Sequence, residues 1–107
     1  MVEQVLLIYV AGPYRAPTKE GISANIERAR EAMLKLMLDG WTVFCPHTMT
    51  AHCDGLLSDT AFLKNGLAML EKCDAIYLLR NSEHSTGTMM ELGLAKALKL
   101  EIITEPE

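Results

Sequence analysis

Residues 5–46, VLLIYVAGPYRAPTKEGISANIERAREAMLKLMLDGWTVFCP, decide the fold, because they read as strand, helix and strand in succession. Val5-Leu6-Leu7-Ile8-Tyr9-Val10 is an unbroken apolar, largely β-favouring run, the pattern of a strand covered on both faces. Ala11-Gly12-Pro13 stops it, and Pro13 to Ile22 has no periodicity, which predicts a loop of about ten residues. From Ser23 to Asp39, Ile26, Ala29, Met33, Leu36 and Met37 recur at helical spacing, with Ser23 as the candidate cap and Gly40 as the terminator. Trp41 to Cys45 then reads as a short strand ended by Pro46.

The same alternation continues outward. His47 to Leu57 is irregular, and a helix is predicted from Ser58 or Asp59 to Lys72, with Phe62, Leu63, Leu67 and Leu70 as its apolar set. Asp74 to Leu79 reads as a third strand, Arg80 to His84 as a polar loop, Thr86 to Leu98 as a third helix and Glu101 to Thr104 as a fourth strand. Strand and helix alternating throughout imply an α/β three-layer sandwich of flavodoxin-like, or Rossmann-like, architecture. Its four-stranded parallel sheet would run in the order 2-1-3-4. In such a sheet the ligand site lies beyond the carboxyl ends of the strands, where Ala11 to Arg15, Pro46 with His47, and Arg80 to Gly87 converge.

Composition bounds the function. A chain of 107 residues is long enough for one domain with a real core, and half hydrophobic with 22% charged residues it is not disordered. A net charge of −4 leaves no basic footprint, so a nucleic-acid duplex is excluded as the expected partner. Cys45, Cys53 and Cys73 are odd in number and lack CxxC spacing, which reads as reduced thiols in a cytoplasmic chain. No apolar run approaches the roughly 18 residues of a membrane span, and no basic region precedes an apolar one at the N-terminus.

Glu91 is the residue that most invites a chemical reading. Leu94, Ala95 and Leu98 follow it at helical spacing, so a carboxylate sits on what should be the buried stripe. Burying a charge costs several kcal/mol without partners. Ser85-Thr86-Gly87-Thr88 just upstream is a helix start whose amides and dipole favour the charged form, and a partly desolvated carboxylate at a cleft is a candidate nucleophile. The alternative is that Glu91 turns outward or completes a cap.

Gly12 after the first strand could let a ligand approach, with Tyr14 and Arg15 on the rim and the Arg15 fork suited to a phosphate or carboxylate; a plain turn is the alternative. His47 either lines the cleft or bonds a loop carbonyl, while His52 reads as surface. Ser85 and Gly87 offer an anion site or ordinary capping, and Asp59 and Asp74 read as structural. The methionines are core filler, although Met89 and Met90 could wall a base pocket. The His47, His52, Cys53 and Asp54 spacing fits no common zinc pattern, so no metal is expected.

Tyr9-Val10-Ala11-Gly12-Pro13-Tyr14-Arg15, Phe44-Cys45-Pro46-His47, Cys73 to Leu79 and Ser85-Thr86-Gly87-Thr88-Met89-Met90-Glu91-Leu92-Gly93-Leu94-Ala95 together resemble the nucleoside 2-deoxyribosyltransferase superfamily, most of all its short, uncharacterised bacterial and phage branch. The resemblance spans nearly the whole chain. It implies a retaining attack by Glu91 on the anomeric carbon of a nucleoside or nucleotide, with no metal or organic cofactor, and a homo-oligomer of two or more chains. In nucleotide-hydrolysing relatives an Arg after the first strand and the hydroxyls before the Glu helix help hold the phosphate, positions that Arg15 and Ser85 match here. Two departures stand out. Gly66 occupies the position of a family Asp, with Asn65 or Asp59 as possible substitutes, and the chain ends at Glu107 without the extension of true transferases. Hydrolysis, or non-catalytic nucleotide binding, is therefore expected over transfer between bases.

Overall fold

The computed structural model describes residues 5–106. Its strands are β1 (Leu7–Ala11), β2 (Thr42–Phe44), β3 (Ala75–Leu78) and β4 (Glu101–Thr104), and its helices are α1 (Lys19–Leu38), α2 (Pro46–Met49), α3 (Asp59–Leu70) and α4 (Thr86–Ala97). All pairings are parallel in the order β2-β1-β3-β4, with Tyr9 opposite Phe44 on one side and Ile76 on the other. The expected α/β architecture and strand order are those observed.

The period of two along β1 divides the core. Ile8 and Val10 face α1 with Ala29, Ala32 and Leu36, whereas Tyr9 and Ala11 face the opposite layer with Leu70 of α3 and Ala95 of α4. This alternation puts the Tyr9 ring under α4, the helix that carries Glu91. Cys45 and Cys73 are buried in the two halves of the core, and all three cysteines are free thiols.

Local chemistry fixes the helix starts. Ser58 caps α3 by accepting from the Ala61 amide at 3.1 Å, and Thr18 caps α1 by accepting from the Gly21 amide at 3.0 Å, each such cap being worth about 1 kcal/mol. Helix α1 therefore begins four residues before the expected Ser23, and the preceding loop is correspondingly shorter. The first turn, Lys19-Glu20-Gly21-Ile22, carries too little apolar pattern to announce a helix. Gly40 ends that helix in the left-handed region at φ 99°, as its sequence position implies. Met37, expected on the apolar face, is 54% exposed. Pro46 opens the single turn α2 rather than an irregular segment, its missing N–H being no loss at a first helical position.

Two carboxylates brace the sheet, one at each end of its strands. Asp74 Oδ2 accepts from the Leu7 amide at 2.7 Å, tying the start of β3 to β1. Glu105 Oε1 accepts from the Arg80 amide at 2.9 Å, from Arg80 Nε at 3.3 Å and from an Arg28 Nη at 3.2 Å. Burial would raise the Glu105 pKa, but the amide and the two guanidinium groups outweigh it and hold the carboxyl below its ordinary value. The end of β4, α1 and the root of the β3–α4 loop are thereby pinned together.

Candidate functional site

A cavity of about 610 Å³ opens at the carboxyl edge of the sheet, and Gly12, Tyr14, Arg15, His47, Ser85, Gly87 and Glu91 all line it. That size is within the range of small-molecule sites. Tyr9, Asp54, Asp59, Phe62, Leu63 and Met90 complete the parts of the wall with chemical character.

Glu91 lies on α4, whose N-cap Ser85 accepts from the Thr88 amide at 3.3 Å and from the Thr88 hydroxyl at 2.8 Å. Ser85 thus acts as a cap while remaining on the cavity wall. The Tyr9 hydroxyl, rising from β1, donates to Glu91 Oε2. Burial pushes the Glu91 carboxyl up to about 7, against the opposing effect of that hydrogen bond. A group expected to be kept charged by the helix start is instead pushed toward neutrality, because desolvation exceeds what the Tyr9 phenol returns. Burial and then the Glu91 charge drive the Tyr9 pKa far above its ordinary value, so the phenol remains a donor.

Gly66 is explained by the same pair. A Cβ there would collide with the Tyr9 hydroxyl and lie 3.5 Å from Glu91 Oε2. The Tyr9 hydroxyl occupies the space in which a longer residue at position 66 would begin. Neither suggested substitute for an acid stands free: Asn65 contacts Met69 Sδ at 3.6 Å, and Asp59 is paired with Arg15.

The mouth is a polar network. Arg15 reaches Asp54 Oδ2 with one Nη at 3.2 Å and Asp59 Oδ1 with the other, and its guanidinium lies 5.5 Å from the Tyr14 ring centroid. The Tyr14 hydroxyl donates to Asp54 Oδ1, and its ring meets that of His47 at 5.6 Å. His47 Nε2 is 2.9 Å from the Pro13 carbonyl, which requires an N–H there, while the buried Nδ1 has no partner. Burial outweighs the nearby carbonyls and lowers the His47 pKa, favouring neutral imidazole. Both readings of His47 hold together, since it lines the cavity and bonds a loop carbonyl.

Other expectations need amendment. A Cβ on Gly12 would sit 2.7 Å from Leu79 Cβ, so this glycine answers first to close packing against Leu79 rather than to ligand approach. Asp59 forms an ion pair instead of capping α3. Met90 walls the cavity but Met89 does not. His52 is exposed, and among the described residues no three His, Cys, Asp or Glu side chains gather as a metal cluster. Tyr9 and Asp54 join the site although the sequence assigns neither a binding or catalytic role. The strand alternation that places Tyr9 opposite Ile8 and Val10 was available as a signal; for Asp54, reached across two loops, none was.

The family described as domain of unknown function (DUF4406) matches residues 6–104. A comparison with curated proteins finds no match. Among solved structures, a 2-desoxiribosyltransferase from Leishmania mexicana aligns with TM-score 0.60 and 25% identity over 92% of this chain and 63% of that one. A 2-deoxyribosyltransferase from Bacillus psychrosaccharolyticus aligns with TM-score 0.64 and 24% identity over 92% of this chain and 70% of that one, a likeness of fold. The chain spans less than two thirds of the length of the Leishmania protein.

The raised Glu91 pKa has a stability consequence. Between the ordinary 4.5 and about 7 the folded protein keeps a proton that the unfolded chain has released, so stability falls as pH climbs through that window. Relative to Glu91→Gln, the wild type should lose roughly 1–3 kcal/mol between pH 5 and pH 8 in urea melts. Parallel profiles for the two proteins contradict the buried placement.

Proposed function

The chain belongs to the family described as domain of unknown function (DUF4406), with a nucleoside 2-deoxyribosyltransferase-like fold, and we propose that it cleaves the N-glycosidic bond of a deoxyribonucleoside. The observation that carries this reading is the Glu91 carboxyl, held by Tyr9 inside a cavity of about 610 Å³. Ionised Glu91 attacks the anomeric carbon as the bond to the base breaks, and the carbohydrate is left as an ester of Glu91. The bonding electrons leave with the base, which takes a proton from water at the open mouth. Water then adds to the anomeric carbon, gives up a proton and releases Glu91. The oxocarbenium-like transition state gains from the negative carboxylate beside it, and Tyr9 fixes the aim of that carboxylate. Phe62, Leu63 and Met90 supply apolar surface for the base. No step calls on a metal or organic cofactor.

Incubation with a panel of deoxynucleosides and their monophosphates should release free base, followed by chromatography. The rate should rise with pH to a plateau above about 7, where Glu91 is ionised. Glu91→Gln should cut it on the order of 1,000-fold or more. Tyr9→Phe should move the break to higher pH, since the lost phenol favoured the charged form. Release that survives Glu91→Gln rejects the assignment, and nucleotide binding with no release at all would leave a non-catalytic binding module.

Assembly into a homo-oligomer belongs to the same proposal. Leu34, Met37 and Leu38 stand exposed at helical spacing on α1, an apolar stripe suited to a partner helix. Light scattering at micromolar concentration should give a dimer or larger particle, and a single-chain mass contradicts it.

A further inference from the structure

We propose that the Asp54–Arg15–Asp59 bridge is a charge filter at the cleft mouth, admitting uncharged nucleosides and turning away their 5′-phosphates. This rests on the nucleoside reading above and names the substrate class within it. Arg15 is the one Arg or Lys among the described residues lining the cavity, against three carboxylates, Asp54, Asp59 and Glu91. Both arms of its fork are already occupied, one by each Asp. Two neighbouring donors are also engaged. The Tyr14 hydroxyl donates to Asp54, and His47 Nε2 bonds the Pro13 carbonyl.

A phosphate dianion entering here meets two carboxylates around one cation whose charge they already exceed. The amides at the start of α4 and the side chains of Thr60, Asn81, His84 and Thr86 on the wall can donate to it, with no further Arg or Lys among the described lining residues to balance the carboxylates. Phosphate and carboxylate both accept hydrogen bonds and neither donates, so each contact between them is an opposed pair. A 5′-hydroxyl, by contrast, can donate to Asp54 or Asp59 without disturbing the bridge. In the pose this proposal takes, the base lies against Phe62, Leu63 and Met90, the anomeric carbon at Glu91 and the 5′ oxygen at the Asp54–Arg15–Asp59 bridge. Arg15 therefore serves as the holder of the two Asp acceptors rather than as a phosphate ligand.

The bridge can be opened without dismantling the fold, because the Arg15 and Asp59 side chains are 52% and 73% exposed and exposed pairs contribute little to stability. Calorimetric titration with inorganic phosphate, a deoxynucleoside and its 5′-monophosphate would be run on the wild type, Asp54→Asn, Asp59→Asn and the double variant. The wild type should show no phosphate binding at low-millimolar concentration. The double variant should bind phosphate at least about tenfold more tightly and lose it on adding Arg15→Gln, with each single variant between. The affinity ratio of monophosphate to nucleoside should rise at least about tenfold in the double variant. Phosphate or monophosphate bound by the wild type as tightly as by the double variant, and lost in Arg15→Gln, overturns the filter. If no variant binds a nucleoside, the nucleoside reading fails while the phosphate titration still decides the filter. Should circular dichroism show the double variant unfolded, the single variants decide by the same criterion.

Discussion

The hydrogen bond from the Tyr9 hydroxyl to the Glu91 carboxyl brings three elements of the fold together at one point. Tyr9 comes from β1, in the middle of the sheet, Glu91 from α4, and Gly66 of α3 leaves them the room. The arrangement is self-consistent in a way that none of the three residues explains alone. A carboxyl buried without a donor would be protonated through most of the physiological range; a phenol buried without an acceptor would be an orphaned polar group. A side chain at position 66 would separate them. Burial raises the Glu91 pKa and the phenol lowers it, and their balance near 7 keeps the group both stable in place and available as an anion.

The parallel sheet makes this meeting possible. Alternation along β1 sends Ile8 and Val10 to the α1 layer and Tyr9 to the α4 layer, while Gly12 allows the chain to pass close against Leu79 before turning to the cavity mouth. Glu105 clamps Arg80 at the root of the loop that delivers Ser85 and α4, drawing on Arg28 of α1 as well. The floor of the cavity is thus built from buried, rigid elements. Its mouth is built from exposed charges on loops, where screening weakens each pair and substitution is tolerated.

What the sequence disclosed follows from which interactions are local. The apolar run at Val5 to Val10, the cap at Ser58 and the terminator at Gly40 are written in neighbouring residues, and the strand order is that of the flavodoxin-like architecture the resemblance implies. All seven residues proposed for the cleft line one cavity because a parallel sheet collects its carboxyl-end loops together. What was illegible depends on distant pairs. Thr18 was overlooked because Gly21 and polar neighbours hide the first turn of α1. The occupied fork of Arg15 depends on Asp54 and Asp59, which lie in other segments and share no spacing with it. Gly66 looked like the loss of an acid, and only the position of the Tyr9 ring, held by a different strand, shows why no side chain fits there.

The central claim is covalent, and it is best met by looking for the covalent bond. Wild-type protein mixed with a deoxynucleoside, quenched in acid within the first turnover and digested, should yield by mass spectrometry one peptide heavier by a single deoxyribosyl unit, with the addition on Glu91. Free base released in the same sample while every peptide keeps its original mass, or an addition on any residue other than Glu91, contradicts the account.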